Sequence, residues 1–214
     1  GILVVGPRTG VDRFKLQIFN PDGSEAEMCG NGARMVARKL QMEGLLESDT
    51  VVLETGAGEN KLDLTGLNVR RLVLQQGAGE VKLWADSPQA DPCQSLEASS
   101  GVGEMQLRGL SILAPEEIDF KGGIGHALLD FTGEGTRNMR AHLAVGIGQI
   151  EVLLPRRLGV RLDVEGNTSG VHVSGQDFRK VGNTYTSNKY ADSPQRLELT
   201  VATGLGGASI RYAD

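Results

Sequence analysis

Residues 71–84 read RLVLQQGAGEVKLW. Leu72 and Leu74 stand two residues apart, as do Val81 and Leu83 further on, the spacing that two half-buried strands require. Between the two runs stands Gly77-Ala78-Gly79, where the chain can change direction with no side chain to accommodate. The unit this predicts is a pair of short strands joined by a glycine corner.

The unit recurs along the chain. Gly-x-Gly opens at Gly56, Gly77, Gly101, Gly123 and Gly146, in steps of 21, 24, 22 and 23 residues, and again at Gly204 after a longer gap. Alternating runs follow the corners: Met105 and Leu107, then Ala127, Leu129 and Phe131, then Ile150, Val152 and Leu154. Others precede them, at Ile118 and Phe120 and at Met139, Ala141, Leu143 and Val145. A repeat this short cannot enclose its own apolar edge, so neighbouring repeats have to stack and share one core. The fold expected is mainly β: a glycine-cornered, β-solenoid-like repeat body over residues 56–214, preceded by a small N-terminal strand-helix-strand (α+β) segment over residues 1–55. A Gly-x-Gly could instead cradle phosphate, but no GxGxxG opens a helix and no GKS or GKT follows, so no nucleotide cofactor is expected.

The front segment carries the chemistry. In FNPDGSEAEMCGNGAR, residues 19–34, one of the two cysteines of the chain, Cys29, sits among glycines. Phe14, Leu16 and Ile18 alternate as a strand, Asn20 to Gly23 are turn formers, and Ala33, Val36, Ala37 and Leu40 recur at helical spacing. Cys29 is thereby expected at the start of a helix, where free backbone N–H groups and the helix dipole favour a thiolate and can hold a carboxylate. The alternative is that a glycine-flanked cysteine is only part of a turn.

Asn20 to Arg34 resembles the first half-site of diaminopimelate epimerase, with its N-x-DGSE stretch running into CGNG-x-R, and VVLET at residues 51–55 resembles the strand that follows the helix in that family. The resemblance implies inversion of an amino-acid α-carbon without pyridoxal phosphate or any other cofactor. One thiol removes a weakly acidic proton while a second thiol on the opposite face returns one, and N–H donors stabilise the charge that reaches the carboxylate. By that resemblance Cys29 is one acid/base thiol, Asn20 binds substrate, and Gly30 and Asn31 grip the α-carboxylate. The second thiol motif of the family has no counterpart: Cys93 lies in SPQADPCQSLEA, with no glycine pair or helix start, and reads as a loop or edge cysteine.

Residues 56–212 resemble the toastrack-type repeat domain of LiaF-like cell-wall-stress proteins, through LDLTGLNVRRLVLQQGAGEVKL, LPRRLGVRLDVEG and DFRKVGNTYTSNKYADSPQRLELTVATGLGG. That resemblance implies an all-β module for sensing or assembly with no catalytic residues, and its surface is the place for a protein partner. Residues 175–196 read as a loop excursion between strands. Thr55 to Gly58 serves both resemblances at once, and no linker separates the regions, so a fusion is expected there.

Composition bounds the rest. Net charge is −5 with acids and bases interspersed, so a nucleic-acid footprint is not expected. No membrane span is expected, because GILVV is far too short. Two cysteines in unlike contexts do not make a disulfide framework, which fits a reducing cytoplasm. His126, His142 and His172 lack ligand spacing, so no metal is expected; Glu80, Glu104 and Glu151 read as solvated strand residues, and Arg156 and Arg157 as loop charges. Two readings of function follow: an epimerase-type half-site acting on a diaminopimelate-like amino acid but inactive alone, or a non-catalytic β-repeat module for envelope-stress sensing or assembly.

Overall fold

The computed structural model describes residues 2–10, 13–19, 22, 50–55, 58–135, 137–166, 168–175 and 177–213. Asn20, Cys29, Gly30, Asn31 and the helix expected after Gly32 lie outside the described residues. The chain runs β1 (Ile2–Gly10), β2 (Arg13–Phe19), β3 (Thr50–Thr55), β4 (Glu59–Asp63), β5 (Arg71–Trp84) and β6 (Ser95–Leu107). It continues through the short helix α1 (Leu110–Leu113), β7 (Glu117–Asp130), β8 (Met139–Leu154) and β9 (Gly159–Gly166). Last come β10 (Val171–Ser174), β11 (Phe178–Val181), β12 (Thr184–Ser187) and β13 (Arg196–Tyr212). β1 and β2 pair antiparallel as a two-stranded sheet, and the other strands form an open sheet of 11 strands.

Consecutive strands β5, β6, β7 and β8 pair parallel and in register. A straight strand of the 14 residues in β5 spans about 46 Å, while the connection over residues 85–94 reaches at most about 35 Å, so each strand has to fold back on itself. It does so at the glycine corner. In β5, Leu72, Leu74 and Gln76 are buried before the corner and Val81 and Leu83 after it, so the alternation changes phase across Gly77–Gly79. The two arms of each strand face one shared core, in which Leu72, Phe120 and Leu143 from first arms join Val81, Leu129 and Val152 from second arms. The buried aliphatic side chains each contribute on the order of 2 kcal/mol.

The register explains the glycines. Gly79, Gly103, Gly125, Gly148 and Gly206 lie side by side on β5, β6, β7, β8 and β13. At Gly125, φ is +141°, and a Cβ there would sit under 3.0 Å from the carbonyl oxygen of Gly103. Both the backbone shape and the approach of the neighbouring strand exclude a side chain.

The ends of the stack are made from split strands. β3 and β4 pair with the first and second arms of β5, so the strand read as part of the front segment is hydrogen-bonded into the repeat sheet, across the expected junction at residues 55 and 56. At the other end β9 and β10 pair with the two arms of β13, with a 3₁₀ turn at Thr168–Gly170 in place of a glycine corner. β13 lies between β8 and β9, parallel to both, which is why the last Gly-x-Gly follows a longer gap. The stretch read as a loop excursion, residues 175–196, instead contributes the β11–β12 hairpin, whose β12 pairs antiparallel with β9. Its Thr-Tyr-Thr run alternates as a strand does, and Gly182 with φ +61° supplies the turn, a signal masked in sequence by the polarity of the segment. Helix α1 falls in the β6–β7 connection, where Ser111 Oγ donates to the carbonyl of Phe131.

The corner makes a direct prediction. Gly125→Ala should lower the stability of the chain by about 3 kcal/mol in urea denaturation, while Gly77→Ala, whose Cβ would meet nothing within 4 Å, should stay within about 0.5 kcal/mol of the parent.

Candidate functional site

The strand ends and the connections lie opposite the corners. Val69 and Gln89 exchange two hydrogen bonds of 2.9 Å, and Asn68 does the same with Asp91 at 2.7 and 2.9 Å, fastening the connection over residues 64–70 to that over 85–94. Farther along, Asn138 Oδ1 accepts the backbone N–H of Arg196 at 2.9 Å and Gln195 donates to the carbonyl of Gly135, so the β7–β8 connection and the start of β13 are held together. Between them opens a cleft of about 490 Å³ lined by Glu116, Arg137, Asn138, Arg140, Tyr190, Arg196 and Glu198.

The cleft is ionic. The Arg140 guanidinium lies between Glu117 (3.4 Å) and Glu198 (3.7 Å), and Arg196 stacks over the Tyr190 ring at 5.5 Å while donating to the carbonyl of Ala191 at 2.9 Å. Tyr190 donates to Glu198 at 3.2 Å; burial first, and then that carboxylate, push its phenol above the ordinary value near 10. A second cleft of about 550 Å³ continues across the sheet face. There Glu117, Arg140, Glu198 and Arg161 stand side by side on β7, β8, β13 and β9, alternating in sign, with Asp119, His142, Thr200 and Asp163 forming the next row. Opposite charges directly across strands support the sheet, each exposed pair by less than about 1 kcal/mol. What such a surface can do chemically is recognise ionic groups, with Arg offering planar donor forks to carboxylates or phosphates.

These residues escaped the sequence reading because they come together from connections far apart in the chain. One signal was available. Glu117, Arg140 and Glu198 each stand six residues before the first glycine of their corners, Gly123, Gly146 and Gly204, and aligning the corners gives the observed register. Among the described residues, no group of three or more His, Cys, Asp or Glu side chains could hold a metal. His126, His142 and His172 lie on separate strands, β7, β8 and β10. Arg156 and Arg157 lie in the β8–β9 connection, Arg156 near Asp177 at 3.9 Å and over the Tyr212 ring, Arg157 donating to the carbonyl of Gly133.

Of the two cysteines, Cys93 is among the described residues. It lies in the β5–β6 connection, 2% exposed, with Sγ 3.6 Å from the carbonyl oxygen of Arg70 and 3.5 Å from that of Ser95. Burial pushes its pKa up to about 11, against the smaller opposing effects of a backbone hydrogen bond and of Arg137. The thiol is neutral and sealed at physiological pH, the reverse of the exposed, electropositive setting of a reactive cysteine.

Residues 1–83 match the diaminopimelate epimerase family. The matched segment includes Asn20, Cys29, Gly30 and Asn31, and it continues through β3, β4 and the corner of β5, beyond the point where the front segment was expected to end. A diaminopimelate epimerase of Agathobacter rectalis is 31% identical over 131 residues, covering 56% of this chain and 46% of that protein. The one from Moorella thermoacetica is 42% identical over 80 residues, 36% of this chain and 28% of the relative. That of Caldanaerobacter subterraneus subsp. tengcongensis is 48% identical over 58 residues, 27% and 21%. The chain thus spans less than half the length of the curated relatives it matches. In structure, it is similar to a Clostridium sporogenes ATCC 15579 protein with a proposed role in cell adhesion, at TM-score 0.54 and 20% identity over 78% of this chain and 94% of that one. This likeness is one of fold. No helix among the described residues is long and apolar enough to cross a membrane.

The buried thiol sets a pH dependence. Because Cys93 titrates near 11 when folded and near 9 when unfolded, the unfolded state loses its proton first as pH rises. Stability should therefore fall between about pH 9 and 11, by on the order of 2 kcal/mol from this group, and Cys93→Ala should remove that part of the slope in urea titrations run across the range.

Proposed function

We propose that the chain joins a diaminopimelate-epimerase-like half-site to a toastrack-like, β-solenoid-type repeat body, and that it does not epimerise its substrate alone. The front segment, residues 1–55, supplies Cys29 as one acid/base thiol, Asn20 as a substrate-binding side chain, and Gly30 and Asn31 as the grip on the α-carboxylate of a diaminopimelate-like amino acid. No cofactor is needed, since a thiol base and donors aimed at the carboxylate suffice for proton removal. The family match over residues 1–83 supports the origin of the half-site.

The observation that carries the incomplete-site reading is Cys93. Inversion by two thiols needs one on each face of the α-carbon, and Cys93 is enclosed between two carbonyl oxygens with its pKa raised to about 11. Such a thiol neither ionises near neutrality nor reaches a substrate. Residues 56–214 then act as a module for assembly or envelope-stress sensing, a reading favoured by the likeness in fold to a protein with a proposed role in cell adhesion.

Diaminopimelate incubated with the chain in D₂O, followed by proton NMR and chiral chromatography, tests this. The expected outcome is no inversion with the parent chain or with Cys29→Ala; any loss of the α-proton signal should occur with retention and vanish in that variant. Inversion that depends on Cys29 would overturn the proposal.

A further inference from the structure

The cleft of about 490 Å³ holds charges that the fold itself leaves unanswered. Arg140 is flanked there by Glu117 and Glu198, and Glu198 also accepts the phenol of Tyr190 at 3.2 Å, so these groups answer one another. Three others in the same lining do not. Among the described residues, the guanidiniums of Arg137 and Arg196 have backbone carbonyls as acceptors, that of Cys93 at 3.5 Å and that of Ala191 at 2.9 Å, and no carboxylate partner. The exposed carboxylate of Glu116 has no cationic partner among them either.

Hydrogen bonds bring these three residues together. The Cys93 carbonyl accepts the backbone N–H of Glu116 at 3.3 Å as well as the Arg137 guanidinium, which ties that acid and that base to one oxygen. Asn138, next to Arg137 in the chain, accepts the backbone N–H of Arg196 at 2.9 Å, and the Arg196 guanidinium lies over the Tyr190 ring at 5.5 Å. Both guanidiniums are thus held in place before a ligand arrives, which lowers the cost of ordering them on binding.

We propose that this cleft binds a free amino acid with an acidic side chain. Its two carboxylates answer Arg137 and Arg196, whose planar donor forks suit carboxylates, and its ammonium answers Glu116. Charge selects the class. A polyphosphate or a plain dicarboxylate would bring negative charge against Glu116 and Glu198 with nothing to offset it, and a basic amino acid would leave one guanidinium unanswered. Size agrees, since the cleft falls within the about 300–1,000 Å³ of small-molecule sites. The lining is charged or polar apart from Met139 and the Tyr190 ring. With so little apolar contact the affinity is modest, a dissociation constant on the order of 100 µM. The site lies in the repeat body and makes no use of Cys29.

Isothermal titration calorimetry of the 214-residue chain with L-glutamate, at about 20 mM salt where exposed charges are little screened, reads the outcome. Saturable binding is expected. Glutarate, which lacks the ammonium, and L-glutamine, which lacks the second carboxylate, should each bind about tenfold more weakly or worse. Arg137→Gln and Arg196→Gln should each weaken glutamate by a similar factor. Glu116→Gln should weaken glutamate yet leave glutarate bound as well or better, a crossing that a merely structural role would not produce. Because the Glu116 side chain is exposed, this variant also serves should an arginine variant not fold. Arg108→Gln, exposed and outside the cleft, should bind glutamate like the parent. No saturable binding of glutamate, glutarate binding as tight as glutamate, or glutamate binding that both Arg196→Gln and Glu116→Gln retain overturns the proposal.

Discussion

Neighbouring strands of this protein pass one another at their corners closer than any Cβ would allow, and the rest of the architecture depends on that approach. A residue with a side chain at Gly103, Gly125 or Gly148 would press on the carbonyl of the preceding corner. With glycine there, each strand can fold back while keeping the same register with the next strand on both sides of the bend. Parallel pairing usually demands a long crossover. Here the fold-back returns each strand to its starting side, so the connections over residues 85–94, 108–116 and 131–138 suffice.

The bend also divides the molecule into two unlike edges. On the corner edge the chain is reduced to glycine and one aliphatic residue per rung, uncharged and repetitive. On the connection edge it is polar and individual, with Gln89, Asp91, Asn138 and Gln195 each holding a neighbouring connection by side-chain hydrogen bonds. Clefts form on the second edge, where the side chains differ from rung to rung. The outer faces of the first arms lie between these extremes, and their in-register charges alternate so that Arg140 has a carboxylate on each side.

The two cysteines illustrate how setting decides chemistry. Cys93 is a thiol by composition only: enclosed between the carbonyls of Arg70, just before β5, and Ser95, at the start of β6, it behaves as a small apolar side chain with a high pKa. Cys29 stands in the segment that matches diaminopimelate epimerase, among glycines and beside Asn20 and Asn31 in sequence. The reactive candidate of the two lies within the family match, and the packed thiol lies beyond it. β3 belongs both to the family match, which runs on to residue 83, and to the sheet, where it pairs with the first arm of β5.

By itself the sequence determined the unit of this fold and its core. Period-two alternation picked out Leu72, Leu74, Val81, Leu83, Ile118, Phe120 and their successors, all of them buried, because a strand at a core can present only every second side chain to it. It also located the corners and the CGNG motif, since both are local patterns. Tertiary structure decided what depends on partners distant in the chain. It placed β13 between β8 and β9, made a hairpin of residues 175–196, brought Arg137, Arg140, Tyr190 and Arg196 to one cleft and sealed Cys93. It also turned Ile124 and Ile147 to solvent although their alternation is that of core residues, because the phase of a strand is local and the direction of a bend is set by the strands stacked against it.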